Sequence, residues 1–311
     1  METTDRRGML HGLAAYVIWG AFPLYFHLLR ASGAVEIVLH RVVWSLALCA
    51  VLTRVTRSAW PPVGDPKRLL LPATGAVLIA LNWGTYIYGV NSGQVVETSL
   101  GYFINPLVTV LLGVFVLRER LRRLQWVAVA IGAIAVIVLT VDYGRPPWIA
   151  LILAVSFGLY GLIKNHVGRT TGPVAGLTTE TLVLAPIAIV GLVWYGADGS
   201  STFAVNPPVQ ALLLMSLGVA TVVPLLLFAS AARRIPLSTI GLLQYLTPVL
   251  QLVAGVVVLG ETMRASRWVG FGIVWLALAV LTFDSLTAAR RRSAQRRLLV
   301  PAVAARGQPL T

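Results

Sequence analysis

Charge is scarce in this sequence of 311 residues. Asp, Glu, Lys and Arg make up only 12% of it, whereas soluble domains average about 25%. The single cysteine, Cys49, excludes an internal disulfide and a cysteine-based metal cluster. The four histidines lack metal-ligand spacing, and no zinc-protease, nucleophile-elbow or phosphate-loop motif is present. The sequence therefore predicts no catalytic residues, no bound metal and no cofactor.

Apolar residues dominate instead, at 57% of the chain with a mean hydropathy of +0.82. A helix needs about 20 apolar residues to cross a hydrocarbon core of roughly 30 Å. Ten such segments are predicted, at 9–29, 35–53, 69–90, 98–117, 124–141, 148–166, 174–195, 209–230, 237–259 and 267–286. The fold class predicted is an all-α integral membrane protein with ten transmembrane helices.

The basic residues give this topology an orientation. The net charge is +14, but the Lys and Arg residues cluster between apolar segments, which indicates loop placement rather than nucleic-acid binding. With the N-terminus inside, 20 of the 25 lie on the inner side, 4 lie outside, and Arg41 alone lies within a segment. The sequence thus predicts cytoplasmic N- and C-termini, contact with membrane lipid and no nucleic-acid partner.

An internal repeat relates two stretches, Ser99–Trp126 and Gly241–Trp268, at a fixed offset of 142 residues. Four residue pairs share that offset: Pro106 and Pro248, Gly113 and Gly255, Glu119 and Glu261, and Trp126 and Trp268. Duplication divides the chain into a cytoplasmic N-terminus (1–8), two five-helix repeats (9–142 and 148–286) and a basic cytoplasmic tail (287–311), expected to be disordered or helical near the membrane. Because five is odd, the repeats must be inverted, which favours a site near the midplane between them.

Arg41 and Glu180 are the two charged residues within predicted segments that are interpreted as functional candidates. Arg41 is interpreted either as a cavity cation for an anionic or carbonyl-bearing substrate, or as a structural partner of a carboxylate or of helix-end carbonyls. Glu180, in the seventh segment, is a proton-coupling candidate, because hydrocarbon favours the neutral form of a carboxylate. Its alternative is a membrane-entrance residue paired with Lys164 or Arg169. The two side chains are in related helices of the two repeats, so they are candidates to approach each other.

Other polar and aromatic residues recur at matching repeat positions. They either bind helices together or line a wet pocket, and the recurrence favours the pocket. The candidates for substrate binding are Asn82, Trp83, Tyr86, Tyr102, Asn105, Gln244 and Tyr245. The prolines within segments, Pro106, Pro224 and Pro248, are predicted to kink helices and to serve as gates. Glu36 and Glu97 are expected to cap helix N-termini, and Glu119 and Glu261 to fix tight turns.

Several motifs resemble a known family. They are AAYVIWG (14–20), HRVVWS (40–45), NWGTYIYGVN (82–91), ETSLGYFINPLV (97–108), LRERLRRLQW (117–126), FGLYGLI (157–163), LSTIGLLQY (237–245) and GETMRASRW (260–268). The chain is similar to EamA-type permeases of the drug/metabolite transporter superfamily, and within them to the RarD group of chloramphenicol-sensitivity proteins. One departure is Arg118, where the family usually has a Gly before Glu119; Gly260 keeps it.

The resemblance implies a secondary transporter of the bacterial cytoplasmic membrane that moves a small metabolite or drug-like molecule by alternating access. Efflux is the direction that the family implies. Two alternatives stay open: a non-transporting membrane scaffold or sensor, and a membrane-embedded enzyme. The substrate, the coupling ion and the oligomeric state, with a homodimer among the options, are not specified by the sequence.

Overall fold

Helices account for nearly all of the described chain, and no strand occurs within it. The computed structural model describes residues 6–56, 66–118, 120–167, 173–205, 208–232, 234–235, 239–240 and 243–306. The helices are α1 (Arg6–Gly20), α2 (Phe22–Leu28), α3 (Ala34–Val55), α4 (Pro66–Asn91), α5 (Val95–Leu117), α6 (Arg123–Tyr143), α7 (Trp148–Val167), α8 (Pro173–Ala197), α9 (Thr202–Val205), α10 (Pro208–Ala232), α11 (Leu246–Val253) and α12 (Ala265–Arg306). A π-helical turn, Ala254–Val258, extends α11.

Seven of the described helices are long and apolar enough to cross a membrane: α3, α4, α5, α6, α8, α10 and α12. Helices α1 and α2 pass the same test together, as a pair bent by 41°. Two shorter apolar helices are Trp148–Lys164 and Leu246–Val258. Every predicted segment overlaps one of these elements. The multi-pass, all-helical character is therefore confirmed, whereas the count of ten spans and the inverted repeats remain predictions.

The chain forms two compact units that do not follow its sequence halves. The first comprises Met1–Leu112 and Pro147–Arg264, and its core lies between helices from opposite halves. In it α3 packs on α8 and α10, α1 packs on α10 and α11, and α4 packs on α7. The second unit comprises Gly113–Pro146 and Ala265–Thr311, in which α6 packs along α12. In that unit Arg267 Nε donates to Asp142 Oδ2 (2.8 Å).

A close backbone approach fixes the crossing of α3 and α10. A Cβ atom added at Gly218 would lie 2.5 Å from the carbonyl oxygen of Trp44. Only glycine leaves room for this contact, so the sequence admits no other residue there without separating the helices. The crossing matters for function because α3 carries Arg41.

The turns that precede Glu119 and Glu261 share one backbone conformation. Gly260 has φ +70°, in the left-handed region that glycine enters freely. Arg118, at the same repeat position, has φ +55° and is the one non-glycine residue with positive φ in the described chain. The first repeat therefore keeps the glycine-type turn although it lacks the glycine.

Candidate functional site

At the break between α1 and α2, two aromatic side chains lie toward the protein interior. The chain bends by 41° there, and Pro23 stands in the first turn of α2, where its missing N–H costs no hydrogen bond. Phe22 and Phe26 follow on one face of α2, with ring centroids 5.4 Å apart. Phe26 also contacts Tyr86 of α4 edge to face, at 5.9 Å. These rings form one wall around Arg41.

Arg41 is buried, with 5% of its surface exposed, and its guanidinium lies over aromatic rings. Its Cζ atom is 3.9 Å from the ring centroid of Trp83, 5.7 Å from that of Phe22 and 5.9 Å from that of Phe26. Its Nε donates a hydrogen bond to Oγ1 of Thr221 at 2.9 Å. Thr221 can accept it because its own hydroxyl donates to the carbonyl of Leu217. We call Arg41, Trp83, Tyr86 and Thr221 the Arg41 site.

No carboxylate forms an ion pair with Arg41 among the residues that the structure describes. Removing an arginine from water costs several kcal/mol even after relaxation. A cation–π contact with a desolvated tryptophan returns about 2 kcal/mol, which offsets part of that cost. Of the two structural partners predicted for Arg41, a carboxylate or helix-end carbonyls, the carboxylate is therefore not found among the described residues.

The amides of α4 and α5 join helices. Asn82 Nδ2 donates to the carbonyl of Leu153 and to Oγ of Ser156, both at 3.1 Å, and Tyr102 OH donates to Asn82 Oδ1 at 3.3 Å. Asn105 Nδ2 donates to the carbonyl of Ala154 at 3.0 Å. These contacts fix α7 against α4 and α5, which accounts for both amides by packing.

Tyr86 differs from these amides. Its side chain is 3% exposed, and its hydroxyl has no hydrogen-bond partner in the described structure. Its ring lies 5.8 Å from that of Tyr102, edge to face. Of the predicted pocket residues, Trp83 contacts Arg41 directly, and Tyr86 and Tyr102 lie close enough to interact with it electrostatically.

The ninth predicted segment contributes less to this group. Gln244 is exposed and Tyr245 half-buried, just before α11 begins. Further along α11, Thr247 donates to the carbonyl of Tyr16, and Gln251 to that of Trp19, which ties α11 to α1. No contact between Arg41 and either Gln244 or Tyr245 occurs among the described residues, and their place in a binding site stays a prediction.

Glu180 has partners of its own. Its Oε1 lies 2.7 Å from Lys164 Nζ, and its Oε2 accepts a hydrogen bond from Tyr160 at 3.1 Å. Lys164 was one of the two partners named for the structural alternative; the other, Arg169, lies outside the described residues. Arg41 and Glu180 have separate partners, and no contact joins them in the described chain.

The prolines take different positions in their helices. Pro106 lies inside α5 and Pro224 inside α10. Pro248 lies in the first turn of α11, where a proline replaces no intrahelical hydrogen bond. Pro72 and Pro186 also lie inside helices, α4 and α8. The π-helical turn after α11 is a further irregularity that no single residue type signals.

Three carboxylates bind the main chain at the start of other helices. Oε1 of Glu36 accepts from the N–H of Thr202 at 2.7 Å, and Oε1 of Glu97 accepts from the N–H of Ile149 at 3.0 Å. Glu261 accepts from the N–H groups of Val95 (2.5 Å) and Val96 (2.8 Å). We call these three contacts the carboxylate caps.

Each carboxylate cap joins one half of the sequence to the other. Unpaired N–H groups and the positive end of the helix dipole favour an anion at these positions. The expectation of capping for Glu36 and Glu97 is thus met, but the capped helix belongs to the opposite half. Glu261 makes such a cap as well. Glu119, its counterpart, lies outside the described residues.

Sequence reasoning missed Phe22, Phe26 and Thr221. A signal existed for Thr221, since it is a hydroxyl inside the apolar run of α10, one turn before Pro224. Phe22 and Phe26 carry no such signal, because a phenylalanine in an apolar run is indistinguishable from one that faces lipid. Only the bend at Ala21 directs them inward.

Comparison with known proteins identifies the family. The model of the EamA-like transporter family matches the chain twice, at residues 6–141 and 146–283. Protein RarD of Streptomyces exfoliatus is 50% identical over 307 residues, covering 98% of this chain and 97% of that protein. An uncharacterized transporter of Pseudomonas aeruginosa is 44% identical, covering 92% and 96%.

The fold also has a counterpart among solved structures. A crystal structure described only as that of a protein matches with a TM-score of 0.60 and 17% identity, covering 89% of this chain and 97% of that chain. At this identity the match concerns the fold alone. With the two family matches and the near full-length relatives, the chain belongs to the EamA-like transporter family.

Proposed function

We propose that this protein is a secondary transporter that carries a small molecule across the bacterial cytoplasmic membrane by alternating access. Its ten spans form two inverted five-helix repeats, with both termini cytoplasmic. The observation that carries the proposal is the set of carboxylate caps. Every cap joins a residue in one of the two family matches to a residue in the other.

The caps are suited to reversible closure. A charge-assisted hydrogen bond to a helix N-terminus is strong but involves few atoms, and water can replace the carboxylate when the ends separate. In the predicted topology, Glu36, Glu97 and Glu261 and the groups that they bind all lie at the outer ends of helices. The described conformation then corresponds to a carrier closed on the outside. Release of the caps would open that side.

The test measures separation of the two halves at the outer side. In a background in which Cys49 is replaced by Ala, spin labels are attached at Ser92 and Arg264, one in each half and both exposed. We expect the lipid-reconstituted protein to show a short and a long distance. Glu261→Gln should raise the long-to-short ratio roughly ten-fold, the equivalent of about 1.4 kcal/mol.

The matched control is Asp198→Asn, which neutralises an exposed carboxylate in an outer loop. It should leave the distance distribution unchanged. A single short distance in every variant, including Glu97→Gln, would contradict alternating access through these caps and favour a static scaffold.

Efflux is the proposed direction, because the family resemblance points to export of metabolites or drugs. Inverted and right-side-out vesicles containing the protein should differ in their accumulation of radiolabelled chloramphenicol, with more in the inverted vesicles. Equal accumulation in both orientations would argue against export of this probe.

A further inference from the structure

We propose that the Arg41 site binds the carboxylate of a small organic monoanion, and that this anion is the class of substrate carried. The inference rests on the transport function proposed above. Arg41 carries a charge that no described carboxylate neutralises: the side chain is buried, lies against aromatic rings and forms no ion pair with the described residues.

Most of the donors on that charge are free for a ligand. A guanidinium carries five N–H groups, and only Nε of Arg41 donates to a described partner. The two terminal nitrogens form no hydrogen bond with the described residues. Together they present the planar fork that matches a carboxylate in a bidentate pair.

The packing around Arg41 fixes the orientation of its guanidinium group. Thr221 holds Nε and the ring of Trp83 covers the guanidinium, so two sides of the group are already occupied. The edge that carries the terminal nitrogens is the part left for a ligand. A side chain oriented in this way before binding loses less conformational entropy when the ligand arrives.

Two further buried hydroxyls, on α4 and α3, have no partner in the described structure. Tyr86 is on the facing helix α4, and Ser45 follows Arg41 by four residues, on the same face of α3. Buried hydroxyls without hydrogen bonds are costly, so an acceptor is expected to meet them. An anion supplies acceptors to donors of this kind, whereas a cation supplies none.

The surrounding side chains define the rest of the ligand. Phe22, Phe26 and the ring of Tyr86 are apolar surfaces, and they suit a compact apolar body attached to the carboxylate. A single buried cation neutralises one negative charge. A monocarboxylate therefore fits better than a dicarboxylate or a phosphate ester, which would leave charge uncompensated.

The experiment compares three carboxylates of increasing size with their uncharged amides: acetate, butyrate and benzoate against acetamide, butyramide and benzamide. Binding to the purified full-length protein in lipid nanodiscs is measured by calorimetry and by the thermal shift. For at least one pair we expect the carboxylate to bind ten-fold or more tightly than its amide. Because binding at equilibrium requires no transport, this result is independent of the distance measurement that tests alternating access.

Variants assign the preference to the site. Arg41→Met should abolish the difference between carboxylate and amide, and Arg41→Lys should retain part of it. Tyr86→Phe removes only the unpartnered hydroxyl, so the variant should fold normally and bind the carboxylate several-fold more weakly. Arg30→Gln, which removes an exposed positive charge, is the control and should bind as the unchanged protein does.

Three outcomes would overturn the proposal. One is the absence of a carboxylate preference in all three pairs. Another is a preference that survives both Arg41→Met and Tyr86→Phe. The third is an equal thermal shift with sodium chloride at the same concentration, lost in Arg41→Met, which would identify a resident inorganic counter-ion.

Discussion

The paired turns at Arg118 and Gly260 allow a direct measurement of backbone strain. An L-residue in the left-handed region costs about 1–2 kcal/mol, and Arg118 occupies it with φ +55°. Glycine relieves that strain but loses more conformational freedom on folding, by roughly 0.5–1 kcal/mol. We therefore expect Arg118→Gly to raise the free energy of unfolding by about 0.5–1 kcal/mol, the difference between these two contributions.

The reverse substitution at the other repeat has the opposite sign. A Cβ atom at Gly260 meets nothing within 4 Å, so Gly260→Arg introduces strain without a clash. It should lower the free energy of unfolding by about 0.5–1 kcal/mol. Because the two turns are distant in sequence and share no partner among the residues that the structure describes, the double variant should return close to the starting value.

The assay is reversible unfolding by SDS in mixed micelles, followed by circular dichroism, with the four proteins compared in parallel. The side chain of Arg118 is exposed, so its removal should cost little through lost contacts. A protein with Arg118→Gly that is no more stable than the unchanged protein would refute the reasoning. An unchanged free energy of unfolding in Gly260→Arg would refute the reasoning as well.

Two other substitutions test packing and charge. Gly218→Ala places a Cβ atom against the carbonyl of Trp44 and should destabilise the protein by about 2 kcal/mol or more in a thermal-unfolding assay. At Gly272 an added Cβ atom meets nothing within 4 Å, so Gly272→Ala should be neutral or stabilising in the same assay. Lys164→Met should lower the free energy of unfolding by about 1–3 kcal/mol, because Glu180 loses its ion pair while Lys164 itself is partly exposed. Adding Glu180→Gln should restore part of that loss. If the effects of Lys164→Met and Glu180→Gln simply add, the ion pair is not the cause of the lost stability.

The sequence predicts the helical segments well because their cause is local. Some 20 apolar residues in a row must bury or satisfy their backbone groups as a helix, whatever surrounds them. The break at Ala21 was not predicted, since Pro23 is compatible with a helix start as well as with a continuous span. The π-helical turn after Val253 was not predicted either, because no residue type requires it.

The site was only partly predictable. Arg41 is conspicuous because charge is rare in an apolar segment. Whether it has a partner depends on which helices meet, and that depends on non-local packing. The carboxylate caps illustrate the limit: Glu97 at the start of α5 predicts a cap, but the N–H that it binds, at Ile149, is 52 residues away.

The length of α12 has a mechanical consequence. The helix has 42 residues and is continuous to Arg306, so it is about 63 Å long, roughly twice the hydrocarbon thickness. Its apolar part ends near Thr287, and the remainder carries a basic sequence that includes Arg290 and Arg297. The part of α12 beyond Thr287 is nearly 30 Å long, so a tilt of the whole helix by 10° would move its far end by about 5 Å. Any tilt of the last span during a transport cycle would thus be amplified into a displacement of positive charge along the lipid headgroups, and an anionic surface would resist that displacement.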